Sequence, residues 1–170
     1  EPVQGEAGVR LPENGYLSAL RARCSEVGAL LIFDEIQTGM GRSGEMFAMT
    51  KFGVTPDIVC LAKAFGGGMP LGAFISSNEI MNTLQSNPVL GHITTFGGHP
   101  VCCAAGLAAT RYLIDNQIVE QVERKGELFE KLLISHPQVV EIRRNGLLLA
   151  VELGSSDKLY KIMNLFIERG

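Results

Sequence analysis

Apolar residues recur at helical spacing at Leu17, Leu20 and Cys24, then give way to an unbroken apolar run, Leu30, Leu31, Ile32 and Phe33. The first pattern predicts a helix capped at Asn14 and closed by Gly28, and the second a buried strand ending at Asp34-Glu35. A polar, glycine-rich turn follows over residues 37–44, then a short helix around 46–52 and a second apolar run, Ile58, Val59, Cys60 and Leu61. That run leads to Lys63 and Gly66-Gly67-Gly68, after which residues 72–76 read as a third apolar strand. Wholly apolar strands alternating with helices predict an α/β fold, a mostly parallel sheet with helices on both faces.

The pattern changes further along. Residues 78–84 read as a short helix and 85–98 as a long polar loop holding His92, Thr94, Thr95 and Gly97-Gly98. Loops of that length inside compact domains tend to be functional or disordered. Pro100 opens a helix of small residues (Ala104, Ala105, Gly106, Ala108, Ala109) that runs to about Asn116. An amphipathic helix over 118–135, strands at 139–143 and 147–153, and a helix over 158–169 complete the chain. The switch away from helix-strand alternation predicts a domain boundary near residue 115, giving units 1–115 and 116–170.

Composition narrows the partners. Of 170 residues, 46% are hydrophobic and 19% charged, with a net charge of -3, which offers no basic footprint for nucleic acid or an anionic membrane. No apolar run approaches the roughly 20 residues of a membrane-spanning helix, and the expected location is cytoplasmic. Cys24, Cys60, Cys102 and Cys103 lack paired CxxC spacing, so reduced, buried thiols are expected rather than disulfides or metal ligands. The opening Glu1-Pro2 and the closing Glu168-Arg169-Gly170 lead us to expect an internal piece of a longer polypeptide, with residues 1–8 a loop leaving a preceding strand.

The candidate chemistry sits at two strand ends. Asp34 alone reads as a turn cap and Lys63 alone as a solvated lysine. Together they follow two buried strands, and Lys63 is flanked by Ala62, Ala64 and Phe65 and then by three glycines. A lysine held among such residues is expected to be desolvated toward its neutral, nucleophilic form, the state that forms a Schiff base. An acid nearby can hold a protonated heteroaromatic nitrogen and make the attached ring a better electron sink. That pair is the protein's half of pyridoxal-phosphate chemistry. Glu35 and Arg42 read as structural ion-pair candidates, and His92 and His99 as loop and helix-start residues.

The segment LIFDEIQTGMGRSGEMFAMTKFGVTPDIVCLAKAFGGGMPLG resembles the signature region of class III pyridoxal-phosphate aminotransferases, the group of ornithine and acetylornithine aminotransferases. EPVQGEAGV before it and TTFGGHP after it resemble two more blocks of that family in the same order. The resemblance implies the large domain of pyridoxal-phosphate fold type I followed by the start of an α+β carboxyl-terminal small domain. It implies that Lys63 forms the imine to pyridoxal 5'-phosphate and later moves a proton, while Asp34 pairs with the ring nitrogen. Gln37 would sit near the phenolic oxygen, and Thr95 would reach the phosphate held by the other subunit of a homodimer. Glu6 would pair with an arginine further along the chain, and Glu1 would lie behind Asp34.

The small-molecule partners implied are an ornithine-like or acetylornithine-like amino donor and a 2-oxo acid acceptor. The family's phosphate-holding glycine turn and ring-stacking aromatic precede the segment matching Glu1, and its carboxylate-binding arginine follows the one ending at Gly170. The 170 residues alone are therefore expected to be inactive. Two alternatives stay open: a related aminomutase, decarboxylase or epimerase, and a non-catalytic truncated domain.

Overall fold

The computed structural model describes residues 1–89 and 92–169. Residues 90 and 91 of the expected 85–98 loop, and Gly170 of the expected helix stop, lie outside the described residues.

Helix α1 (Tyr16–Val27) starts after Gly15, whose φ of 83° turns the chain, so Asn14 provides no side-chain cap. It ends at Gly28 as expected, with a φ of 69° and its N–H donating to the Cys24 carbonyl. Leu17 on this helix packs with Leu31, Phe33 and Val54 in a buried cluster, joined by Leu20, Cys24, Met49 and Phe52. Strand β1 (Ile32–Asp34) contributes Phe33 to that cluster, while Leu30 and Ile32 remain 55% and 54% exposed. The apolar run is thus not buried throughout: within this chain the helical cover of β1 is one-sided.

After α2 (Ala48–Phe52), strand β2 (Ile58–Leu61) pairs with β1 in parallel, in the register Ile32↔Ile58, Phe33↔Val59, Asp34↔Cys60. Strand β3 (Ala73–Ser76) follows the glycine turn but runs antiparallel to β2, so this part of the sheet is mixed, in the order β1-β2-β3. An apolar run reads the same whichever way the strand pairs, and the reversal between Leu61 and Ala73 permits the antiparallel pairing.

Helix α3 (Asn78–Asn82) is capped by Ser77, whose Oγ accepts from Ile80 N, and passes into a 3₁₀ turn, Thr83–Gln85. Helix α4 (Pro100–Asp115) has Pro100 in its first turn, and His99 Nδ1 accepts from Val101 N. A 3₁₀ turn (Val119–Gln121) leads into α5 (Val122–Leu133). The antiparallel hairpin of β4 (Glu141–Asn145) and β5 (Leu148–Glu152) precedes α6 (Ser156–Arg169). Of the cysteines only Cys102 is buried; Cys24 and Cys60 are half-buried and Cys103 is exposed on α4, against the expectation of four buried thiols.

The hairpin docks on the turn that follows β1. Leu147 N donates to Arg42 O at 2.9 Å, and a Cβ on Gly146 would lie 2.6 Å from the same carbonyl oxygen. Gly126 of α5 admits the Gly146 carbonyl, which would sit 2.1 Å from an added Cβ. Arg144 bonds Glu123 at 2.7 Å and Glu130 at 2.9 Å, and Lys51 bonds Ser43 O at 2.8 Å and Glu123 at 3.3 Å. Burial would raise the Glu123 carboxyl, but hydrogen bonds from Arg144 and Lys51 and their charges outweigh it and hold it below its ordinary value.

Candidate active site

In parallel neighbours both carboxyl ends emerge on one edge of the sheet, where α/β proteins bind their ligands. Strand β1 ends at Asp34, directly beside Cys60, and β2 ends one residue later at Leu61, two residues before Lys63. The sequence and the register therefore bring the acid and the lysine to the same edge.

Asp34 is half-buried, and its Oδ1 accepts from Ile36 N at 3.0 Å. This is the local turn cap of the plainer reading, and it uses one oxygen only. Oδ2 takes no hydrogen bond among the described residues, so the carboxylate can cap its turn and still meet a ligand. Lys63 opens a 3₁₀ turn, Lys63–Gly66, at a φ of +49°, in the left-handed region that side chains rarely adopt. Its residue is exposed, with no ion pair among the described residues. The expected apolar surround is only partial among the described residues: Ala62 and Phe65 beside it are half-buried, whereas Ala64 and Gly67 are exposed.

Small residues set the height of the Lys63 turn. A Cβ on Gly106 of α4 would lie 2.7 Å from Phe65 O, and one on Gly67 would lie 2.6 Å from Ala105 O. Helix α4 therefore seats directly on the turn backbone, which explains the run of small residues noted in its sequence.

Gln37 and Glu6, two of the other expected site residues, meet each other: Gln37 Nε2 donates to Glu6 Oε1 at 2.9 Å. The side chain of Gln37 lies against Gly5, where a Cβ would be 2.6 Å from Gln37 Oε1. The 1–10 loop is held by a bridge between Gln4 and Arg10, with backbone bonds of 3.0 Å in both directions. Glu1 bonds locally, its Oε1 accepting from Gly5 N at 3.2 Å, rather than supporting Asp34. Thr95 is exposed on the turn before α4, and no hydrogen bond among the described residues brings it to the other four.

Two readings of charged residues need correction. Arg42 is exposed and in no ion pair among the described residues. Glu35 is the largest fully buried side chain, 1% exposed, and it too is without a cation; three hydrogen-bond donors hold it instead. Its sequence context, an acid after a strand and before a polar turn, is the same as for an exposed ion pair, so only the fold could reveal it.

The side chains present suit a pyridoxal-type group. An exposed primary amine, a carboxylate with one oxygen unused, and a carboxamide two residues beyond the buried Glu35 stand at one sheet edge. Known proteins decide the family. The family model Aminotransferase class-III matches residues 1–170. The chain belongs to the class-III aminotransferases.

Among relatives of this class, the putrescine aminotransferase of Pectobacterium atrosepticum is 47% identical over 175 residues, taking in 99% of this chain and 37% of that protein. An ornithine delta-aminotransferase structure from Plasmodium falciparum superposes with a TM-score of 0.81 at 35% identity, over 92% of this chain and 41% of that one. The taurine:2-oxoglutarate aminotransferase of Bifidobacterium kashiwanohense, solved in complex with PLP and glutamate, gives 0.80 at 35% identity, over 90% and 35%. The fold of these class-III enzymes, pyridoxal-phosphate fold type I, is thus the fold of this chain. The chain spans well under half the length of these relatives.

Proposed function

We propose that these residues are the lysine-bearing part of a pyridoxal-phosphate-dependent aminotransferase. The whole enzyme moves a terminal amino group from an ornithine-like or acetylornithine-like amine to a 2-oxo acid. The observation that carries the reading is the parallel register Asp34↔Cys60, which sets an acid and Lys63 at one sheet edge. The matching relative named for putrescine favours a second donor class within the same reading, a diamine without a carboxylate.

Pyridoxal phosphate, when bound, supplies an electron sink for the carbon that carries the amine. Lys63 Nζ would be the primary amine that holds the group and would carry a proton to and from the substrate carbon. Asp34, with Oδ2 taking no hydrogen bond among the described residues, would accept from the ring nitrogen and balance its charge. Gln37, which donates to Glu6 at 2.9 Å, would donate toward the ring oxygen, and Glu6 would lie on the substrate side. Thr95 would reach the phosphate of the other subunit in a cytoplasmic homodimer, and residues 1–115 and 116–170 would divide between the large and small domains.

The test uses the full-length enzyme with pyridoxal phosphate added. The wild type is expected to develop the absorbance band of lysine-bound cofactor, and Lys63→Ala to lose it together with at least about 10⁴-fold in kcat. A Lys63→Ala enzyme that keeps the band sinks the assignment.

A further inference from the structure

Glu35 stands between two residues assigned to the cofactor and has no role in the reading above. Its side chain is buried to 1% exposure, and a carboxylate taken out of water is costly unless its oxygens are bonded. Both oxygens are. Oε2 accepts from Thr38 Oγ1 and from Ala48 N, each at 2.8 Å, and Oε1 accepts from Met49 N at 2.7 Å. Its backbone is tied as well, with Glu35 N donating to Cys60 O at 3.0 Å and Gly39 N donating to Glu35 O at 2.9 Å.

Three separate pieces of chain meet at this residue. Cys60 belongs to the strand leading to Lys63, Thr38 and Gly39 to the turn carrying Gln37, and Ala48 and Met49 to the first turn of α2. From its Asp34 end to Gly39, the turn is pinned to the sheet on one side and to α2 on the other.

We infer that Glu35 is a positioning residue, whose buried carboxylate fixes the 34–39 turn so that Asp34 and Gln37 face the cofactor ring. The inference rests on the pyridoxal-phosphate reading. The charge state matters because all three partners are donors. Glutamine in the same place has one acceptor oxygen and an NH₂, so at least one backbone N–H of α2 faces a donor whichever way the amide points. The turn then shifts at the residue next to Asp34. A ring nitrogen less well held by Asp34 carries less positive charge, and the cationic form of the lysine-cofactor link is then less disfavoured.

The experiment compares wild type, Glu35→Gln, Val54→Ala and Lys63→Ala in the full-length enzyme. Val54 is buried in the α1–β1 core cluster and makes no bond to Glu35, so its variant reports destabilisation alone. Glu35→Gln is expected to raise the pH midpoint of the bound-cofactor absorbance by about half a unit or more and to weaken pyridoxal-phosphate binding about tenfold. Val54→Ala is expected to lower the thermal midpoint of the apoenzyme and leave both readouts in place.

An unmoved pH midpoint in Glu35→Gln, with a Lys63-dependent band in wild type, overturns the positioning role alone. Absence of that band in wild type overturns the cofactor reading itself. Should Glu35→Gln fail to fold, Thr38→Val removes one of the three donors, and the same upward shift, smaller, is expected; no shift there also overturns the inference.

Discussion

The parallel pair β1 and β2 has two ends built on opposite principles, each centred on an aspartate. At the amino ends Asp57 is bonded across the fold. Its Oδ2 accepts from Arg21 and from Leu31 N, both at 2.6 Å, its N–H donates to Leu31 O at 2.8 Å, and its carbonyl accepts from Ser76 Oγ at 2.7 Å. At the carboxyl ends Asp34 uses one oxygen for its own turn, and Lys63 stands exposed. Asp57 therefore holds α1, β1 and β3 to the start of β2 and has a cation beside it, whereas the Asp34 carboxylate bonds only within its own turn and has no ion pair among the described residues. Sheet edges that bind ligands carry groups whose partners are not supplied by the fold.

That contrast can be broken most sharply at Asp34. An asparagine side chain there would retain an acceptor for Ile36 N, so Asp34→Asn in the full-length enzyme is expected to leave the apoenzyme's unfolding free energy within about 0.5 kcal/mol. On the proposed cofactor role, activity should still fall about 10²-fold or more, since the charge assigned to the ring nitrogen is gone. Steady-state kinetics beside a urea titration decide it, and an equal loss in both would mean that Asp34 is only a turn cap.

Asp57→Ala should do the reverse, with stability lowered by about 2 kcal/mol through loss of the Arg21 and Leu31 bonds. Per folded molecule, kcat is expected to stay near wild type.

A pH series sharpens the same end. The Arg21 hydrogen bond, aided by Leu31 N and the Arg21 charge, holds the Asp57 carboxyl below its ordinary value of 3.8 despite some burial. Because the folded value lies below the unfolded one, the stabilisation is complete well above 3.8 and is lost as pH falls through the folded value. Wild-type stability should drop more steeply than that of Asp57→Asn on acidification from about pH 5 to pH 2. Parallel acid-unfolding curves would mean that the Asp57 charge contributes nothing to the fold.

Much of this was legible in the chain. The apolar runs located β1, β2 and β3 to within two residues, Gly28 and Pro100 marked helix ends, and the blocks around Asp34 and Lys63 pointed to the family. What escaped was set by distant neighbours. The direction of β3 is invisible in the pattern of Ala73–Ser76, since an apolar run reads the same whichever way the strand pairs. Glu35 resembled any charged turn residue because its α2 partners lie more than ten residues downstream and bond through their backbones. The surround expected for Lys63 was read from its immediate sequence neighbours, which do not fold over it.

Lys63 also carries a conflict between backbone and chemistry. Its φ of +49° is a conformation in which glycine sits without strain, whereas a residue with a Cβ is disfavoured by about 1 kcal/mol or more. Selection acting on the resting fold alone would install glycine at this position and erase the amine. A search for stabilising replacements that ignored chemistry would therefore rank the proposed cofactor lysine among its first candidates for removal.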